Sequence, residues 1–337
     1  MKKTSALFLL FLFAVSAAWG GDGLFFHVED RGFFDNREVH SPFQHSGTYF
    51  GTSINGELGY SDRHNSLSVG YYLIDNFGEQ GLADHGWTLY YAYSDKHFSG
   101  AFGSFPRRLL QRELPDVFVD EALRYYTPNL NGALLQYRSR RGSAELYCDW
   151  LSRQSATARE IFEIVSDGKW TLAKVGPSRF GVLYNARLTH FSVRSGKTTD
   201  KVYDKLMLNP SLCYSYSGEF VDRVSVTAGW MASLNRDRND KIWKMPCGFL
   251  GEVRVGKGRF EVRDRLYAGQ SLMSDYDLYG ALLHRGDPYY RSPFYDRADV
   301  SFWLLRNHNV DCHVTASFHF TEGVMDNSQQ IQLRVFF

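Results

Sequence analysis

From residue 24 to the end of the chain, apolar residues recur at every second position in short runs punctuated by Gly, Asn, Asp and Ser. The clearest run is 310–320. There Val310, Cys312, Val314, Ala316, Phe318 and Phe320 alternate with Asp311, His313, Thr315, Ser317 and His319. A period of two places one set on each face of a strand. Val224, Val226, Ala228 and Trp230 stand in the same way against Ser225, Thr227 and Gly229. Phe260, Val262 and Leu266 oppose Glu261, Arg263 and Arg265, with Asp264 interrupting the apolar set near a rim. Read throughout, the pattern predicts strands at 24–34, 46–60, 65–75, 86–95, 97–104, 131–140, 143–153, 158–167, 178–191, 210–217, 222–233, 247–256, 259–269, 297–306, 310–320 and 329–337. That is about sixteen; fourteen or eighteen follow if 24–34 or the break at 168–177 is counted otherwise. Short turns at 61–65, 95–97, 141–142, 218–222, 256–258 and 307–309 are interleaved with longer linkers at 76–85, 105–130, 154–157, 192–209, 234–246, 270–296 and 321–328. Short turns at one end and longer loops at the other describe a transmembrane antiparallel β-barrel, all-β in class, with both termini on the periplasmic side.

The two ends of the chain point the same way. Ile331, Leu333, Val335 and Phe337 alternate with Gln330, Gln332 and Arg334, and Phe336 departs from the pattern. Ending on a strand with a terminal aromatic is similar to the C-terminal signal that barrel insertion machinery reads, so Phe337 is the candidate insertion signal. At the other end, Lys2 and Lys3 precede an apolar run from Ala6 to Ala14, and Ala18 and Gly20 stand in a cleavage-site relation. This predicts a signal peptide over 1–20 and a mature barrel over 21–337. The run is short for a membrane helix, and no later stretch reaches about 18 apolar residues.

Aromatic residues make up 16% of the chain, more than a soluble enzyme needs and well suited to interfacial girdles. The formal charge of +1 leaves no nucleic-acid footprint. Cys148, Cys213, Cys247 and Cys312 lie on separate predicted strands without C-x-x-C spacing and are read as small apolar residues. No cofactor or metal is called for.

Sixteen strands enclose a water-filled lumen instead of a packed core. The charges assigned inward are Arg138, Arg140, Glu145, Asp149, Arg153, Arg187, Glu252, Arg254, Glu261, Arg263, Arg265 and Arg334. Arginines in excess would give a mild anion preference, or the charges pair with one another along a wet wall. The linker 105–130 contains Leu109, Leu110, Leu114, Val117, Phe118, Val119 and Leu123, which a solvated loop does not need. It is the third outer loop, so it is expected to fold into the barrel as a constriction or to cap the mouth. Its Arg107, Arg108, Arg112, Glu113, Asp116, Asp120, Glu121 and Arg124 then set the field at the narrowest point. The linker 270–296 carries Tyr276, Tyr279, Tyr289, Tyr290 and Tyr295 with Asp275, Asp277 and Asp287, a pattern for a sugar-stacking lid, a Ca²⁺ site or ordinary rim tyrosines.

The stretch Gly103 to Phe162 resembles a group of Bacteroidota-type outer-membrane barrels. The resemblance lies in Gly103 to Pro115, Gly132 to Tyr137, Asp149-Trp150 with Gln154, and Arg159-Glu160 with Phe162, with Phe33-Phe34 as a looser match. It implies a porin-like fold and an outer-membrane location in a Gram-negative bacterium. No G-x-S-x-G, H-E-x-x-H or paired-carboxylate motif is present, and His190, His284, His313 and His319 carry no linear signature. The sequence therefore reads as a non-enzyme: a porin-like channel for small polar solutes, or alternatively a scaffold or exporter component working with periplasmic or surface partners. The other partners implied are outer-membrane lipid, the insertion machinery and, by analogy with trimeric porins, further copies of the chain.

Overall fold

The computed structural model describes residues 22–337 apart from 198, 240 and 241. The signal peptide expected over 1–20 lies outside the described residues. Sixteen strands form the wall. The first eight are β1 (Gly23–Glu38), β2 (Gly47–Asp62), β3 (Asn65–Asn76), β4 (Asp84–Ser94), β5 (Phe98–Pro106), β6 (Asn129–Arg138), β7 (Gly142–Ser152) and β8 (Ile161–Val175). The rest are β9 (Ser178–Phe191), β10 (Tyr203–Tyr216), β11 (Arg223–Asp237), β12 (Cys247–Lys257), β13 (Phe260–Gly269), β14 (Phe294–Arg306), β15 (Val310–Thr321) and β16 (Val324–Phe336). Each pairs antiparallel with its neighbours in sequence. β1 also pairs with β16, from Glu29 opposite Phe336 to Glu38 opposite Asn327, which closes the sheet. Closure satisfies the backbone groups that a free edge would leave bare in lipid. A two-residue strand, Trp243–Lys244, pairs antiparallel with β11 at its loop end. Among the described residues helix is confined to α1 (Glu121–Tyr126), α2 (Tyr276–Leu283) and 3₁₀ turns at Arg107–Leu109 and Pro288–Arg291. Among the described residues no helix is long and apolar enough to cross a membrane.

The faces follow the alternation. Thr315, Ser317 and His319 are buried inside, whereas Phe318 and Phe320 are exposed outside. On β16, Gln330 is buried in the lumen and Ile331, Leu333 and Phe337 are exposed on the exterior. Phe337 is held in the ladder, its amide donating to the Val28 carbonyl at 2.9 Å and its carbonyl accepting from Val28 at 3.0 Å. Leu58, Leu89, Phe102, Leu146, Val262 and Val300 continue the greasy exterior, which only lipid can solvate on this scale. A Val300→Arg substitution on this face should cost about 2–4 kcal/mol, the value for a cation at the bilayer midplane. The measurement is the urea midpoint of the barrel folded into vesicles.

Three expected connections are shorter than predicted, and that at 192–209 is strand from Tyr203 onward. The break at 168–177 is strand up to Val175, and the chain reverses at 176–177 with Gly176 at φ 56°. The expected loop 321–328 is a turn at 322–323 with Gly323 at φ 80°. Asp326 to Ser328 have loop-like polarity, but Asp326 and Ser328 face a polar lumen, so the wall itself asks for polar residues there.

Candidate functional site

Two loops fill the loop end of the barrel. Between β5 and β6 the chain turns inward, and Val117 and Phe118 are fully buried. They share one apolar core with wall residues Tyr90, Phe105, Leu130, Tyr147, Val165, Met207 and Tyr267. The loop between β13 and β14 joins the same core through Leu272, Met273, Tyr289 and Tyr290. The loops also bond to each other. The Asp287 amide donates to the Asp116 carbonyl at 2.8 Å, and the Asp120 amide to the Arg285 carbonyl at 2.7 Å. Tyr289, Tyr290 and Tyr295 are thus interior packing groups and not sugar-stacking rim residues. Among the described residues no three His, Cys, Asp or Glu side chains gather as a metal site.

The charged loop residues are matched to the wall. Arg108 grips Glu57 with two nitrogens at 2.5 and 2.7 Å, and the Tyr90 hydroxyl donates to the same carboxylate at 2.9 Å. Arg112 donates to Asp167 at 2.6 Å and to the Ser143 hydroxyl at 2.7 Å, while the Gln111 amide donates to Glu145 at 2.8 Å. Arg107 donates to the Thr127 carbonyl at 2.6 Å and lies 3.8 Å from Asp149; burial lowers its pKa. Arg124 joins Glu113 at 2.8 Å and Asp116 at 3.2 Å. Asp116 is buried between Arg265 and Arg297, and both arginines also hold Asp299. Glu121 accepts from Arg297 at 3.2 Å and from Gln330 at 2.9 Å. Burial pushes the Glu121 carboxyl up, but Arg297 and Arg37 outweigh it and hold it below its usual value. Burial raises Asp120, its neighbour at the start of α1. Arg187 donates to the Phe118 carbonyl and lies 3.6 Å from Glu163. Arg263 pairs with Glu252 at 2.6 Å, Arg254 with Glu252 at 3.5 Å and Glu261 at 3.6 Å, and Arg334 with Glu29 at 2.5 Å.

Three inward assignments need correction. Arg138 ends β6 and is exposed at the short-turn rim. Arg140 lies in the turn after β6 and Arg153 in the connection after β7, both exposed, because each strand stops before its arginine.

Lys205 had no signal in the sequence, and nothing local to His284, Asp287 or His190 announced the partners they meet. Lys205, fully buried on β10, lies 2.7 Å from Nδ1 of His284 in the opposite loop. Burial and the Lys205 charge depress the His284 imidazole. Asp287 accepts from the Tyr289 amide at 3.1 Å and the Tyr295 hydroxyl at 3.2 Å. Burial, reinforced by Asp120, pushes its carboxyl up to about 6. On the exterior near the loop end, His190 lies 2.9 Å from Asp204, which also accepts from Arg238 at 2.6 Å.

Two spaces remain. One, of about 420 Å³, occupies the short-turn half of the lumen and is lined by Arg31, Arg254, Arg263, Arg334, Glu113, Glu261, Asp311 and His313. The other, of about 480 Å³, lies at the loop end. It combines Asp149, Asn129, Asn131, Ser152 and Arg285 with Trp87, Leu151, Ile161 and Leu282. Polar groups converging on one side of an apolar pocket are what a small-ligand or lipid site requires.

A family model described as Lipid A 3'-O-deacylase-type matches residues 20–336. The chain belongs to that family. Its fold is similar to that of the outer membrane protein OprD from Pseudomonas aeruginosa, with a TM-score of 0.54 at 10% identity over 95% of this chain and 96% of that one. OpdL of Pseudomonas aeruginosa gives 0.53 at 10% identity, covering 93% and 98%. A loop L8 deletion mutant of OmpT, an outer membrane protein of Vibrio cholerae, gives 0.53 at 9% identity, covering 93% and 99%. No curated protein sequence matches the chain. The expectation of a non-enzyme is overturned by membership in a deacylase-type family. A barrel gathers its reactive groups from several strands and loops, so the lack of a linear motif carries no weight against catalysis.

Proposed function

We propose that the protein is an outer-membrane acyl hydrolase that removes an ester-linked chain from a glycolipid of the lipid A class. The family match over 20–336 is the observation that carries this reading. The loop-end pocket supports it chemically. Asp149 lines the pocket, and one of its oxygens accepts the Asn131 amide at 2.9 Å. It is the residue assigned to draw a proton from water. Asn129, Asn131 and Arg285 supply donors for the negative charge that develops on the ester oxygen. Water adds to the acyl carbon, the ester C–O bond breaks, and the proton leaves with the sugar hydroxyl. Export through a cleaved N-terminal segment into a Gram-negative outer membrane is part of the same proposal.

The test is mass spectrometry of lipid A incubated with the refolded protein. Loss of one acyl chain is expected, and Asp149→Asn should slow it by about 10²–10⁴-fold, the usual contribution of a general base. Intact lipid A after prolonged incubation with wild-type protein sinks the reading. A His190→Ala variant should keep the activity, since His190 faces away from the pocket.

A second reading, passage of small polar solutes, is favoured by the charged 420 Å³ space below the loops. Stable conductance steps across a planar bilayer are its signature, and their absence counts against it.

A further inference from the structure

The wall is incomplete between β4 and β7. Gly103 on β5 and Gly132 on β6 face each other in register at φ 126° and 155°, conformations that side chains rarely adopt. A Cβ at Gly103 would lie 2.2 Å from the Leu89 carbonyl oxygen, and one at Gly132 2.3 Å from that of Cys148. Just above this point the outer ladders stop. β4 and β5 are paired only as far as Leu89 with Ser104, and β6 and β7 only as far as Gly132 with Asp149. β5 and β6 remain paired with each other up to Pro106 and Asn129. The tip of this hairpin tilts into the lumen, where Phe105 and Leu130 are fully buried and the Asn129 amide donates to the Thr88 hydroxyl at 2.8 Å. Two side chains finish the broken ladders: the Ser104 hydroxyl donates to the Trp87 carbonyl at 3.0 Å, and Asp149 accepts the Asn131 amide.

The ends of β4 (Asp84 to Trp87) and β7 (Trp150 to Ser152) are left paired on one side only, to β3 and β8. With strands about 4.8 Å apart, the slot between them is on the order of 14 Å wide. Its floor lies inside the membrane. Gly103 is the sixth residue above the turn at 95–97, roughly 15 Å up the barrel axis at ~3.3 Å per residue and ~40° of tilt. The apolar belt of such barrels is about 25 Å tall. The slot therefore faces outer-leaflet hydrocarbon and opens into the 480 Å³ pocket. Trp87, 69% exposed, stands on one lip, and Trp150, stacked 5.2 Å from Phe162, on the other. Leu282 of α2, 63% exposed, and Leu151 lie behind them, with Asp149 and Arg285 deeper in.

We infer that this slot is a lateral port that admits a single acyl chain of an outer-leaflet lipid, bringing its ester to the polar end of the pocket. The inference rests on the hydrolase reading for what happens to the ester; the binding stands without it. Half-paired strand ends in a membrane leave backbone groups that hydrocarbon cannot satisfy, and the ester and its water can.

The full chain, refolded into vesicles, is photolysed with a diether phospholipid whose chain ends in a diazirine, a probe that cannot be hydrolysed. Cross-links should concentrate on 84–89, 150–152 and 278–283 and fall about tenfold in a Leu282→Arg variant, as expected when a buried apolar contact worth ~1.4 kcal/mol is lost. Labelling of Val300 on the far wall should not change, which reports an intact barrel. Labelling spread evenly around the belt, or unaffected by Leu282→Arg, overturns the port. Slot labelling without acyl release from lipid A supports the port while overturning the hydrolase reading. Acyl release without slot labelling overturns the port alone.

Discussion

An Asp116→Ala variant will lose the seat of the loop between β5 and β6, at a cost of about 3–5 kcal/mol, because removing one member of a buried ion pair strands its partners. Asp116 is the shared counter-charge of Arg265, Arg297 and Arg124, and its backbone carbonyl receives the Asp287 amide of the second loop. Arg265 would keep only Asp299, and Arg297 would keep Asp299 and Glu121. The expected observation is a lower urea midpoint for loop release with new protease cleavage between 108 and 126, the wall strands staying protected. An unchanged midpoint would mean that the apolar core around Val117 and Phe118 holds the loop without the charges.

The strands were legible because each face of the wall meets a different solvent, so that Phe318 and His319 announce their sides. The greasy residues of the long loop were legible for a related reason: Val117 and Phe118 need cover, and only the lumen offers it. What the sequence could not supply was pairing across distance. Arg297 meets Asp116 from 181 positions away, and nothing local to either residue selects the other. The glycines at 103 and 132 each begin a stretch that carries the resemblance, but their structural effect depends on lying opposite one another, which no local pattern shows. Tyr289 and Tyr290 have the composition of a rim girdle, and their burial follows from how the second loop crosses the first. Asp326 and Ser328 were assigned to a loop because a polar lumen makes a strand look like one.

Deleting 108–126 and 272–291 together will turn an obstructed barrel into an open one. The two loops share a core and hydrogen-bond to each other, so either deletion alone leaves the other as a partial plug. A sixteen-strand cylinder without them has the width of an aqueous channel. Single-channel steps of the double deletion should exceed those of either single deletion several-fold, on the order of what an empty lumen of this strand number allows. Equal steps in all forms would place the narrowest point below the loops, among Arg254, Arg263 and Arg334.

The plug also bears on how the cylinder is joined. β1 and β16, the first and last strands, meet along one line, and α1 lies directly behind it. Tyr125 stacks on Phe33 of β1 at 4.6 Å, and Glu121 accepts from Gln330 of β16 at 2.9 Å. A segment from the middle of the chain therefore bridges the two termini from within, like a splint across a seam. A chain shortened at its last strand would therefore lose a contact of the helix as well as the partner of β1's edge.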